Sequence, residues 1–421
     1  MNLRFQSTST MGILGGMSQA MMRWCVAVAV VGLWCGQTAA ADRRGTANWD
    51  LKKLGETPKV YPATQATEPA MRALFYEGLP FQGKPTRVFA WYGLPKQYSG
   101  GKVPAIVLIH GGGGTSNVRW VRLWTERGYA AISMDLCGKA YGKTDGQGQR
   151  HDMAGPSGWD DSFGQTDWPI EDQWTYHAVA DAVLANSFLR SAPEVDAERI
   201  GVTGISWGGY LTCIVAGVDD RFKFAVPVYG CGFLDEDSVW LGRFKSMGEQ
   251  NAGKWLGNWD PSVYLPNAKM PMLWVTGTVD FAYPLSKVRK SYRLATGDRY
   301  LSIQPGMKHS HPDGEVPAEI AAFADQLLRG KEPLARCVKQ GIDGRTVWAV
   351  FESKIPLVRA QGVYTKDTGP WQQRKWVVEP AALDKPSGRA SFEAPEGISA
   401  VYLAVIDERK LLASSEHEEP K

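Results

Sequence analysis

The chain has 421 residues, 44% of them hydrophobic and 22% charged, with a formal net charge of +3. This is ordinary globular composition, long enough for one large domain and a smaller one. Residues 1–41 contain Arg4 and Arg23 and no acid, so they hold two of those three charges. The near-neutral remainder has no footprint for nucleic acid or an anionic membrane surface.

At the N-terminus, Arg23 precedes an apolar run from Cys25 to Trp34, and Ala39-Ala40-Ala41 forms a small-residue cleavage site. This pattern predicts a signal peptide over 1–41 and export to the periplasm or the medium. The apolar run is shorter than the roughly 20 residues a bilayer span needs, so no membrane association is expected after cleavage. Residues 42–84 read as a polar lead-in. An edge strand is predicted at 87–92, followed by a buried strand at 105–109 (Ala105-Ile106-Val107-Leu108-Ile109) and a helix near 118–127. A third strand covers 129–134. Residues 138–169, rich in Gly, Asp, Ser and Trp, resemble an insertion over a site more than a simple connection. Helical spacing returns from Trp174 to Arg190.

Strands are then expected at 199–203, 224–229, 271–276 and 300–303, with 232–268 as a second irregular excursion and a closing helix at 320–328. Strands alternating with helices predict an α/β fold with a doubly wound, mostly parallel sheet across 85–335. From 336 to 421 the pattern becomes β-type runs at 346–351, 357–364, 374–378, 389–392 and 400–405, separated by turn residues, which predicts a small β-sandwich-like domain. Of six cysteines, Cys25 and Cys35 fall in the leader. Cys137, Cys213, Cys231 and Cys337 fit no metal motif or dense disulfide scaffold. Buried free thiols are the expectation, with Cys137–Cys231 as the candidate bridge.

The chemistry concentrates in four places. Gly204-Ile205-Ser206-Trp207-Gly208-Gly209 is a G-x-S-x-G run directly behind a predicted strand. A sharp strand-to-helix turn there would expose Ser206 as a nucleophile; a plain helix cap does not explain glycines on both sides. Upstream, His110-Gly111-Gly112-Gly113-Gly114 ends a strand with uncovered backbone amides. The amides of Gly112 and Trp207 are the candidate oxyanion donors, and His110 is expected to anchor the loop. Downstream come Asp280, after the strand at 271–276, and His309 and His311, after the strand at 300–303. The chain order serine, acid, histidine selects Ser206, Asp280 and His309 as catalytic residues. His309 comes first after its strand and is the preferred base, with His311 as the alternative. Among 17 tryptophans, Trp159, Trp168, Trp240, Trp255 and Trp259 lie in the two excursions, where they are either a stacking platform or loop anchors.

On these motifs the stretch from about 85 to 330 resembles the α/β-hydrolase superfamily, specifically the acetyl xylan esterase, dienelactone hydrolase and prolyl oligopeptidase branch. The resemblance implies a serine esterase with no metal or organic cofactor, acting on a small-molecule or carbohydrate ester, with acetyl as the expected acyl group. The β-rich tail is not part of the usual acetyl xylan esterase chain. Two alternatives stand beside this reading. A serine exopeptidase would anchor its substrate's amino end on Asp160, Asp161 or Asp167. A polysaccharide-binding protein would use its tail and tryptophans around a vestigial site.

Overall fold

The computed structural model describes residues 47–64, 66–140 and 148–420. The expected leader lies outside them. Among the described residues no helix is long and apolar enough to cross a membrane. After a short helix α1 (Leu51–Leu54), the chain lays down β1 (Val60–Pro62), β2 (Met71–Glu77), β3 (Arg87–Gly93) and β4 (Val103–Ile109). Helix α2 (Val118–Glu126), β5 (Ala130–Met134) and a small hairpin, β6 (Lys139–Ala140) with β7 (Gln149–Arg150), follow. Then come α3 (Trp174–Ser191), β8 (Val195–Ile205), α4 (Trp207–Val218), β9 (Ala225–Val228) and α5 (Leu241–Trp259). The catalytic region closes with β10 (Met272–Gly277), α6 (Leu285–Tyr292), β11 (Arg299–Gln304), α7 (His311–Glu315) and α8 (Ala318–Arg329).

Nine strands form one sheet in the order β1-β2-β3-β5-β4-β8-β9-β10-β11. From β5 to β11 all neighbours are parallel, and β1, β2 and β3 add an antiparallel flank. Residues 104–109 of β4 and 200–205 of β8 are buried throughout, as a continuous apolar run between two helical layers should be. The sheet's carboxyl end therefore gathers the loops after β4, β8, β10 and β11, where such folds place their sites.

Two expectations change here. The strand at 87–92 is not an edge: the lead-in supplies β1 and β2, which pair beyond it. The three-residue length of β1, which ends on Pro62, and the polar residues around β2 hid them. The excursion 232–268 is not irregular throughout, since it contains the 19-residue α5. Four glycines (Gly242, Gly248, Gly253, Gly257) weaken its helical signal, and Gly248, at φ 73°, breaks it into two pieces. Its buried side is Phe244, Trp255, Leu256 and Trp259.

Residues 336–421 form β12 (Arg336–Asp343), β13 (Thr346–Glu352), β14 (Leu357–Thr365), β15 (Val377–Asp384), β16 (Arg389–Glu393), β17 (Ala400–Asp407) and β18 (Leu412–Ser414). They make a separate, nearly closed antiparallel sheet in the order β12-β13-β16-β15-β14-β17-β18. Gln340 on β12 bonds the backbone of Glu416 just past β18, drawing the two end strands together. The run expected at 374–378 is displaced: β15 starts at Val377 and passes through Pro380. Pro380 lies where β15 pairs with β14 alone, before its pairing with β16 begins at Ala382, so its missing N–H faces no ladder.

The tail packs on β11, the last strand of the main sheet. There the Ile303 N–H donates to Ser414 Oγ (2.9 Å) and its carbonyl accepts from the Tyr402 hydroxyl (3.1 Å). All four cysteines of the described residues, Cys137, Cys213, Cys231 and Cys337, are free, so the Cys137–Cys231 bridge is not formed. Burial pushes the Cys137 thiol up to about 12, which keeps it protonated and unreactive.

Candidate active site

Ser206 sits between β8 and α4 with φ 60° and ψ −119°, a conformation that non-glycine residues avoid. Such strain persists where the surroundings fix it and is common at functional turns. The surroundings here are very close: a Cβ on Gly208 would lie 2.0 Å from the Ile109 carbonyl oxygen, so no larger residue lets the elbow seat on β4. The Ser206 N–H is anchored to the Val228 carbonyl at 2.9 Å.

His309 Nε2 lies 2.8 Å from Ser206 Oγ, and its Nδ1 lies 2.7 Å from Asp280 Oδ2. Asp280 is buried, and its other oxygen accepts the backbone N–H groups of Ala282 and Tyr283, both at 2.7 Å. The carboxylate is thus locked in orientation, and it fixes the imidazole with its proton on Nδ1 and the Nε2 lone pair toward the serine. The two loops that carry Asp280 and His309 are tied together, since the Gly306 N–H donates to Thr278 Oγ1 at 2.9 Å.

The structure separates the two candidate histidines. His311 starts α7, turned to Asn117 Nδ2 (3.0 Å) and Glu315 (2.8 Å), with its ring edge-on to Trp120. Only His309 bonds the serine.

His110 is buried at the end of β4. Its Nε2 accepts the Leu136 N–H at 3.0 Å and its Nδ1 faces the Gly111 carbonyl at 2.8 Å. This pins the glycine loop to β5 and leaves His110 no part in proton transfer. Asp135 finishes the job from below, accepting the Thr115 hydroxyl at 2.5 Å and the Cys137 N–H at 2.8 Å. Gly112 lines the same cleft as Ser206, wedged where a Cβ would meet the rings of Trp159 (2.7 Å) and Trp207 (2.8 Å). The Trp207 indole packs in a ring cluster with Trp159, Trp240 and Tyr210.

A cleft of about 700 Å³ opens over this relay, lined by Gly112, Ser206, Trp207 and His309 on one side. Trp159, Asp160, Val239, Trp240, Arg243 and Phe281 are among the residues that line the rest. Of the five excursion tryptophans only Trp159 and Trp240 reach it. Trp255 is fully buried and stacks on Phe163 at 4.9 Å, while Trp259 bonds Gln173. Trp168 lies on the surface beside Phe81. Trp255 and Trp259 are thus apolar anchors of the second excursion, while Trp159 and Trp240 face the cleft.

Sequence reasoning passed over Tyr229, Phe281 and Arg243. Tyr229 also has a positive φ (59°), lays its ring on His309 at 4.6 Å and donates its hydroxyl to the Lys308 carbonyl at 2.7 Å. Its only sequence signal was its place at the end of a predicted strand.

The chain is also similar to known proteins. The acetyl xylan esterase (AXE1) family profile matches residues 49–236, and the prolyl oligopeptidase family profile matches residues 157–330. The structure of an acetyl xylan esterase from Paenibacillus sp. R4 superposes with a TM-score of 0.53 at 22% identity, covering 66% of this chain and 92% of that one. The chain belongs to the α/β-hydrolase superfamily. The hydrolase is also 24% identical over 237 residues to dipeptidyl-peptidase 5 of Porphyromonas gingivalis. It is 25% identical over 227 residues to the uncharacterized peptidase YuxL of Bacillus subtilis. Each match takes in 49% of the hydrolase but only 30% of the relative's own length.

Proposed function

We propose that the protein is an exported serine hydrolase that cleaves carboxylic esters, with short acyl groups such as acetyl on carbohydrate or related alcohols as its substrates. The observation that carries this reading is the unbroken relay from Ser206 Oγ through His309 to buried Asp280. Ser206 attacks the ester carbonyl while His309 Nε2 takes its proton, and Asp280 stabilises the imidazolium. The new C–O bond leaves the former carbonyl oxygen negative, facing the backbone N–H groups of Gly112 and Trp207. Collapse expels the alcohol oxygen, which takes the proton from His309. Water then repeats the sequence on the acyl-serine and frees the acid.

Two findings favour esterase over exopeptidase. Among the three acids considered as an amine anchor, Asp160 alone lines the cleft, and it is paired with Arg243 at 2.6 Å. Asp167 is paired with Lys254 at 2.8 Å. Neutralised carboxylates are weak bait for a substrate ammonium. An intact relay likewise weighs against a vestigial site. Export predicts a mature N-terminus at Asp42, read by mass spectrometry of the secreted protein.

The test is hydrolysis of p-nitrophenyl acetate, butyrate and octanoate by the processed protein and by Ser206→Ala. Acetate turnover lost in the variant, by on the order of 10⁴-fold or more, is the expected result. Ester turnover that survives Ser206→Ala, or none at all beside cleavage of dipeptidyl anilides, would reject the esterase reading.

A further inference from the structure

Phe281 is the residue directly after Asp280, and it is 52% exposed on the wall of the cleft. Its ring lies 4.8 Å from the His309 ring, and Val239, 51% exposed, lines the same cleft. Single exposed apolar side chains are ordinary, but two in one concave cleft beside a nucleophile form the kind of apolar lining that marks a ligand groove. Tyr229 already covers His309, with ring centroids 4.6 Å apart.

The chemistry gives the cleft a direction. The carbonyl oxygen must point toward Gly112, and the Gly112 side is the Trp159 side. The departing oxygen must lie within hydrogen-bond reach of His309 Nε2 to take its proton. The alcohol half of the substrate therefore starts at His309, where the nearest open surface is Phe281.

We infer that Phe281 is a specificity-determining residue that receives the leaving alcohol, selecting alcohols that carry a flat apolar ring face. This rests on the serine esterase reading above. An aromatic ring and the C–H face of a sugar share that chemistry, since both lose apolar area to an aromatic surface.

The experiment compares kcat/KM for three acetates, those of ethanol, 2-phenylethanol and methyl β-xyloside, in the wild type, Phe281→Ala and Phe281→Leu. The wild type is expected to favour at least one ring alcohol over ethanol by about tenfold, the size of one aromatic contact and the area it covers. Phe281→Ala should bring that ratio close to one, with Phe281→Leu between. Any loosening of His309 in the variants slows all three acetates alike and cancels in the ratio. A preference confined to the phenylethyl or to the xyloside ester identifies which ring the platform takes. A wild type indifferent to the alcohol, or a preference that survives in Phe281→Ala, overturns the proposal while leaving the esterase intact. Turnover of all three acetates unaffected by Ser206→Ala would instead remove the reading beneath it.

Discussion

The floor of the cleft and its aromatic wall are built differently. The floor consists of the elbow at Ser206, the glycine loop after β4 and the tied loops of Asp280 and His309, and it is held by backbone contacts and buried hydrogen bonds. The wall consists of residues 157–168 and α5, held by stacked rings inside and by two half-exposed ion pairs outside. Close backbone contact tolerates no change of side chain and leaves one geometry. Ring packing with surface charges tolerates many sequences and leaves shape open to variation. The Ser206–His309–Asp280 relay thus lies where substitution is least forgiving, and the stretch 157–168 with α5 where it is more forgiving.

The largest effect that would sharpen this contrast is on the floor. Asp280→Asn should leave the fold intact and lower kcat on the order of 10⁴-fold, because an amide in that place favours the wrong imidazole tautomer. Circular dichroism with steady-state kinetics checks both halves. Full activity in that variant would break the contrast at once.

Next comes the inside of the wall. Trp255→Ala removes a fully buried ring from between Phe163, Tyr210 and Phe244. It should destabilise by about 3–5 kcal/mol in urea unfolding. Most of its activity loss should come from the fraction unfolded, and little from kcat of the folded protein.

A pH effect of intermediate size follows from His177, which underlies the start of the wall at Gly155. Burial holds its imidazole down at about 4. The folded state therefore binds this proton less readily than the unfolded chain, whose histidine titrates near 6.5. Stability is complete above pH 6.5 and falls as pH drops from there toward 4, by at most about 1.4 kcal/mol per pH unit. Urea midpoints at pH 7.5 and 5.5 should show the fall, and His177→Gln should flatten it.

The smallest effect belongs to the outer wall. Arg243→Ala breaks the half-exposed pair with Asp160 and should change stability by under about 1 kcal/mol. It should also leave Asp160 unpaired in the cleft, so a modest gain in cleavage of substrates with a free amino group is expected. A loss of folding here would show that the wall depends on its charges after all.

The same division decides what could be read before the structure. The floor was legible because backbone geometry demands particular residues: glycines around Ser206, a glycine run after β4, an acid and a histidine at strand ends. The wall was not, because α5 carries four glycines and buries only a narrow stripe, so its period was too weak to see. Tyr229 and Phe281 were missed for a related reason. Their importance comes from lying against His309, 80 and 28 residues further along the chain respectively, and nothing local marks that. In the antiparallel flank β1 was hidden by its three-residue length and β2 by the polar lead-in around it, while the displaced β15 shows that a proline permitted by a one-sided ladder looks, in sequence, like the end of a strand.

The contacts that Ser414 and Tyr402 make with Ile303 have a consequence for how this protein can be handled and how it could have arisen. A fragment ending near 335 would carry every residue of the relay and yet present β11 as an open template on which a second copy could add a strand. Self-association, not loss of chemistry, is the failure such a truncation invites. The tail thus covers the edge strand of the main sheet from within the same chain.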